Sequence, residues 1–282
     1  MYSFELENEN GEIVNINDEE KYVVVGCSGL EPPAATLFTA KSANRKGVKH
    51  NGSTLNERNI TLQIKLLGNI EENRNNLYSW LDTEQYAKVR YKNGLKKVYC
   101  EGYVQDHSND FFTSNEVVSV SIVCGNPYWI DLAEIAAEIS NVVKQFKFPF
   151  SIDDEGIPLS TYSDNMETSI YNGGAETGCI IRIFCEEEIA NLTIYDAKNT
   201  TRKFDIKTTL EKGWTVEINS DRRPKTCKAI KQDGTEQNLM KYVRNPTWFN
   251  LRKGENVFSY TADSGVENAQ ITISFTNKYL GV

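Results

Sequence analysis

A chain of 282 residues with 39% hydrophobic, 11% aromatic and 25% charged residues has the composition of a folded protein and exceeds what one ordinary core fills, so two domains are expected. The formal charge of -8 is shared by both halves: residues 1–132 hold 13 Lys/Arg against 18 Asp/Glu, and the remainder 18 against 21. That balance argues against binding of free nucleic acid, which needs a basic face, and the lack of any long apolar run argues against a membrane span.

The first residues, Met1-Tyr2-Ser3-Phe4-Glu5-Leu6-Glu7, have neither the basic stretch nor the apolar core of a secretory signal, so synthesis in the cytoplasm is expected. From Gly26 to Gly52 the chain is rich in Gly, Pro, Ala and Ser and lacks strand alternation. A loop of that length is usually functional or reaches outside its domain. It carries the one local basic cluster, Lys41, Arg45, Lys46 and Lys49. Two readings of the cluster stay open: an arm that pairs with the acidic flank of a neighbouring subunit, and a solvated loop.

Ile60, Leu62, Ile64 and Leu66 then alternate with Thr61, Gln63 and Lys65, the pattern of a half-buried strand. Asn69-Ile70-Glu71-Glu72 opens with a capping residue and early acidic charge, and Ile70, Leu77, Trp80 and Leu81 recur at helical spacing. A helix over residues 70–82, lying on the first domain's sheet, follows. Asp106 to Asp110 reads as a hairpin tip, and Val118, Val120 and Ile122 alternate with Ser119 and Ser121 as a further strand.

The strand run ends in the turn Cys124-Gly125-Asn126-Pro127-Tyr128-Trp129, which places a first domain at 1–130, a linker or first strand at 131–149 and a second domain at 150–282. Leu132 to Phe146 fits a helix by its Ala and Glu content, and a linker followed by a strand by Ile135, Ile139, Val142 and Val143. Phe148-Pro149-Phe150 leads into the second domain, where turns at Asn172-Gly173-Gly174, Lys212-Gly213, Asp233-Gly234 and Lys253-Gly254 separate short runs. Trp214, Val216, Ile218 and later Ile271, Ile273, Phe275 alternate with polar residues. Short strands with regular turns predict a sandwich.

Little chemistry is written into this pattern. The six cysteines form no C-x-x-C pair and read as reduced, mostly buried thiols. His50 and His107 have no partners at the spacing of a zinc site or a catalytic triad, and no phosphate-cradling glycine motif occurs. Neither a cofactor, a metal nor a catalytic site is expected. Trp248, Tyr260 and Trp214 are candidates for a sugar-stacking platform, although Trp214 heads an alternating run and fits packing as well.

The order of short motifs resembles the distal tail proteins of bacteriophages, the hub ring family of siphophage-type tail tips. In the first half these are Val25-Gly26-Cys27-Ser28-Gly29-Leu30-Glu31-Pro32-Pro33, Asn51-Gly52-Ser53, Arg58-Asn59-Ile60-Thr61-Leu62, the helix with Arg74, Leu77 and Tyr78, and Cys124 to Trp129. In the second they are Tyr171 to Thr177, Glu211-Lys212-Gly213-Trp214, Trp248 to Asn256 and Tyr279-Leu280-Gly281-Val282.

The resemblance implies a mainly β protein: an N-terminal β-sandwich ring domain with one helix and a long embracing loop, and a C-terminal galectin-like β-sandwich. It implies no enzyme but a virion protein of the tail tip, a hexameric ring of this chain between the tail tube protein and the tail-associated protein. Receptor-binding or baseplate proteins would hang from the outer domains, and genomic DNA would cross the channel without specific binding. Pro32 and Pro33 would stiffen the embracing arm, with Lys41, Arg45, Lys46 and Lys49 at the ring interface. The alternative is an adhesin that grips host polysaccharide through the C-terminal sandwich.

Overall fold

The computed structural model describes residues 2–17, 20–41, 43, 46–111, 113, 115–139, 142–144, 160–162, 167–221, 223–244 and 246–282. It divides into two compact units, Met1–Ala133 with Lys278–Val282, and Glu134–Asn277. The last residues of the chain thus belong to the first unit.

The first unit contains β1 (Ser3–Glu7), β2 (Ile13–Asn15), β3 (Tyr22–Ser28), β4 (Ala35–Ala40), β5 (Lys49–Leu55), β6 (Arg58–Leu66), α1 (Ile70–Trp80), β7 (Tyr86–Lys92), β8 (Lys97–Asn109), β9 (Val117–Cys124) and the start of β10 (Trp129–Ile139). Its main sheet runs β2-β1-β7-β8-β9-β6-β3, antiparallel throughout. The alternation read in β6 is the burial pattern: Ile60, Leu62, Ile64 and Leu66 are buried. They oppose the inward residues of β9, with Ile60 across from Ile122, Leu62 from Val120 and Ile64 from Val118, the cross-strand pairing that stabilises a sheet. Inward residues of β1, β3, β6, β7, β8 and β9 all reach one core, so the sheet folds over on itself as a sandwich of its own two halves.

Helix α1 occupies the predicted segment and closes this core with Leu77, followed by buried Leu81. Asn69 stands at its N-cap but makes no side-chain cap bond; its amide donates to Glu72 instead, at 2.9 Å. Buried Asn73 is held within the unit: its side-chain amide donates to the Leu67 carbonyl at 2.7 Å, and its backbone carbonyl accepts from the Tyr22 hydroxyl at 3.0 Å.

Two expectations need correction. The segment 26–52 is not strandless, because β3 extends to Ser28 and β4 pairs with β5 from Ala35–Leu55 to Ala40–Lys49. Sequence alternation is absent there because neither face of the hairpin is buried. His107 lies within β8 rather than at a hairpin tip, with its Nε2 2.6 Å from the Leu81 carbonyl and its ring edge-on to Tyr78. Within Leu132 to Phe146 the described residues are strand: β10 runs to Ile139, with Ile135 and Ala137 packed on the second core, and Val142–Lys144 is a further strand, while 140, 141, 145 and 146 lie outside the described residues. Packing there outweighs the helical propensity of Ala and Glu. Phe148-Pro149-Phe150 falls outside the described residues.

The second unit takes the rest of β10 and then β11 (Val142–Lys144), β12 (Ser160–Tyr162), β13 (Glu167–Asn172), β14 (Thr177–Gly178), β15 (Ile180–Cys185), β16 (Ile189–Ala190), β17 (Thr193–Asp196), β18 (Asn199–Ile206), β19 (Thr209–Leu210), β20 (Thr215–Asn219), β21 (Thr226–Ile230), β22 (Glu236–Asn238), β23 (Val243–Arg244), β24 (Asn250–Leu251), β25 (Gly254–Thr261) and β26 (Ala269–Tyr279). One layer is ordered β26-β15-β20-β21-β22, the other β13-β25-β17-β18-β23. Ile183 sits opposite both Val216 and Ile271, and Ile181 opposite Ile218 and Ile273. These ladders meet Ile194, Phe204, Ile206, Phe258 and Tyr260 of the other layer in one core, which is the expected sandwich.

All six cysteines are unpaired, and all but Cys27 are buried. Burial pushes the Cys185 and Cys227 thiols up to about 12, which keeps them protonated at neutral pH.

The contrast between core and hairpin is measurable. Leu62→Ala should cost about 2–5 kcal/mol in urea denaturation, as large-to-small core changes do. Leu37→Ala, on the exposed face of β4, should change stability by less than about 0.5 kcal/mol. Equal effects from both would contradict the burial described.

Candidate assembly interface

The β4–β5 hairpin projects from the first unit as an arm, and its root is a dense polar node. Arg58 opens β6 in phase with Ile60 and Leu62, so its side chain points inward, and it is 2% exposed. A guanidinium stays charged at any ordinary pH, and burying it requires an oxygen for each N–H. Its Nη1 donates to the Gly29 carbonyl and, at 2.8 Å, to that of Glu31. Its Nε donates to Pro127 at 2.9 Å and its Nη2 to Leu280 at 2.6 Å. The cation also lies 5.5 Å from the Trp129 ring centre, close enough for a cation–π contribution.

Further bonds tie the same segments together. Trp129 Nε1 donates to the Gly29 carbonyl at 3.3 Å, and the Val282 amide to the Leu30 carbonyl at 3.1 Å. Lys96 donates to Gly281 at 3.3 Å and lies 4.0 Å from the Tyr279 ring centre. Gly29 has φ +91°, and a Cβ there would run into the Asn59 carbonyl, so only glycine lets the chain pass beneath β6. The Glu31 carboxylate accepts from the Gly29 amide at 3.1 Å. Backbone N–H groups of Glu31 and Gly29, with the nearby Arg58 charge, hold that carboxyl below its usual range.

Beyond this node the arm is exposed. Pro32 faces solvent and Pro33 is half-buried; the Asn56 amide donates to the Ala34 carbonyl at 3.0 Å and closes the base. Every β4 residue is exposed, as is all of β5 but Gly52. Leu37 and Phe38 show 62% and 51% of their surface. Lys41, Lys46 and Lys49 are exposed around the tip; Arg45 lies outside the described residues. The structure therefore gathers Lys41, Lys46 and Lys49 at one end of a two-stranded arm, with Pro32 and Pro33 at the other.

Comparison with known proteins bears on what such a unit belongs to. Residues 9–124 match the phage tail protein RIFT-related domain, and residues 172–279 match the siphovirus-type tail component, C-terminal domain. The chain belongs to the phage distal tail protein family. The crystal structure of Dit (gp 19.1) from phage SPP1, described as a paradigm of the hub adsorption apparatus in phages infecting Gram-positive bacteria, shares its fold. The TM-score is 0.70 at 12% identity, over 98% of this chain and 99% of that one. A chain of the phage P2 baseplate in its activated conformation with Ca is similar at TM-score 0.51 and 14% identity, over the full length of both. Among curated protein sequences nothing matches.

The other candidates in this distal tail protein sit differently. Tyr260 and Trp214 are 1% and 7% exposed, within the core of the second unit. The partly buried Trp248 packs edge-on against Phe204, with ring centres 5.1 Å apart, and has Lys225 at 5.6 Å. These rings pack; they do not assemble an open platform. His50 is exposed on β5. Among the described residues no three His, Cys, Asp or Glu side chains gather to hold a metal ion, and no helix is long and apolar enough to cross a membrane.

Sequence reasoning passed over Arg58 as a functional residue. The signal was present, since Arg58 continues the inward phase of Ile60, Leu62, Ile64 and Leu66, and a charge in a buried phase needs built partners. Arg58→Met keeps much of the volume and removes the donors, taking the Arg58 bond from the carbonyls of Glu31, Pro127 and Leu280 and leaving that of Gly29 with Trp129 alone. It should cost about 3 kcal/mol in urea denaturation and speed hydrogen exchange at the Val282 amide. An unchanged midpoint and unchanged exchange would contradict this role for the node.

Proposed function

We propose that this chain is the structural hub of a phage tail tip, in which copies join head-to-tail into a closed ring, six to the ring, through the β4–β5 arm. The observation that carries the reading is an arm exposed on both faces yet anchored at its root by four hydrogen bonds from the buried Arg58. A hairpin without a buried face gains little from its own unit, so its apolar and cationic side chains gain contacts on another surface. An arm and the surface that receives it are different patches, and such heterologous contacts close into a ring when the rotation per subunit divides a full turn.

In this reading the first unit, Met1–Ala133 with Lys278–Val282, forms the ring, and the second, Glu134–Asn277, forms the outward domain that supports receptor-binding or baseplate proteins; the division expected at 130 and 150 thus moves to Ala133, and the last five residues go to the ring. The tail tube protein meets one face of the ring and the tail-associated protein the other. Genomic DNA crosses the central channel, and the acid excess of the chain favours passage without adhesion. The protein acts mechanically, as a virion component at the tail tip made in the host cytoplasm. The family membership supports the hub role.

Replacing residues 34–56 with a short Gly-Ser linker should leave the circular dichroism spectrum of a folded β protein while converting the sedimenting oligomer to monomer. An oligomer that survives the deletion unchanged would remove the arm from the assembly.

A further inference from the structure

The main sheet of the first unit is open: its edge strands are β2 and β3. Between β3 and the beginning of β1 lies a cleft of about 470 Å³ whose walls include Tyr2, Phe4, Val24, Val25, Cys27 and Leu30. No Lys, Arg, Asp or Glu lines it. Tyr2 stacks on Tyr91 with ring centres 6.2 Å apart and forms one rim. The register of β3 against β6 shifts between Val24 and Gly26, leaving Val25 on a bulge with 53% of its surface exposed. A bulge of this kind blocks the addition of another strand to the edge. The cleft is therefore suited to apolar side chains rather than to a β-ladder.

We propose that this cleft receives the arm of a second copy of the chain, with Phe38 as the side chain that enters it. This rests on the ring reading above and names the surface that the arm reaches. Three observations select that occupant. The arm presents Leu37, Phe38 and Val48 to solvent, an apolar set matching the Phe4, Val24, Leu30 and Tyr91 walls of a cleft that has no charged side chain, with Asn17 and Asn93 as polar partners at its margin. Residues 32–56 hold four cations, Lys41, Arg45, Lys46 and Lys49, and no carboxylate, whereas the rest of residues 1–132 holds nine Lys/Arg against 18 Asp/Glu. A cationic arm is thus drawn to the acidic body of another copy. The chain's own arm does not fill its own cleft: it departs through Leu30, one wall of that cleft, with its root held by Arg58, and its residues remain exposed. Each copy consequently offers one arm and one cleft, the pairing a head-to-tail ring requires.

Cysteine cross-linking in a Cys27→Ala background tests this, because Val25 and Thr39 are exposed and the other five cysteines are buried. Mild oxidation of a mixture of the Val25→Cys and Thr39→Cys proteins should give a disulfide-linked pair at twice the 32.0 kDa chain mass, which neither gives alone. Both changes in one chain should give a ladder of multimers, and adding Phe38→Ala should lower the yield at least tenfold. Oligomers in sedimentation without the 25–39 cross-link would overturn the cleft assignment and leave the ring reading standing. A cross-link confined to the monomer mass would overturn it in favour of a chain filling its own cleft. The absence of both oligomer and cross-link would overturn the ring reading and this inference together.

Discussion

The buried guanidinium of Arg58 is the constraint on which the first unit depends. An always-charged group away from water is tolerated only when its donors meet oxygen, and here the oxygens come from Gly29, Glu31, Pro127 and Leu280. Three stretches far apart in sequence, the segment from the exit of β3 to the arm's base, the turn after β9 and the last residues of the chain, are fixed to one atom group. All four acceptors are backbone carbonyls, which side-chain substitution leaves in place. Arg58 itself, and the glycine that brings its carbonyl beneath β6, are the positions with no substitute. Lysine would bring one compact charge without the planar fork that reaches several carbonyls at once.

Fixing that point determines how the arm works. A two-stranded hairpin alone is marginal in water, and this one has no core beneath it. Its direction comes from the root: Glu31 bonded to Gly29, Pro32 and Pro33 limiting the backbone, and Asn56 closing the base against Ala34. Loss of order at the node would therefore act first on the arm and only then on the sheet. In the proposed ring, assembly through such an element would couple a local packing event to the symmetry of the whole, and a stiff root would serve it better than a flexible tether.

What the sequence revealed, and what it hid, follows from which faces are buried. Strands at 60–66, 118–122 and 271–275 are legible because one face meets a core and the other water, so apolar and polar residues alternate. β4 and β5 are hidden because both their faces meet water, and only the backbone ladder between them makes them strands. Leu132 to Phe146 is ambiguous because Ala and Glu favour helix while Ile135 and Ala137 answer to a core assembled from distant residues. Aromatic type misleads at Tyr260, since a ring reads the same whether it packs or binds, whereas at Trp214 the alternation with Val216 and Ile218 already points to packing, and both rings are buried. Among the interface candidates, the lysines and prolines of the arm are visible as composition, whereas the cleft at the β3 edge is assembled from β1, β3 and β7 and has no contiguous signature.

Electron microscopy of the purified full-length chain at high concentration tests the central claim most directly. The account predicts closed six-fold rings with a central opening and density bridging each pair of neighbours. A stable two-fold dimer, with both copies contributing the same patch, would contradict it and return the chain to a free-standing binding module.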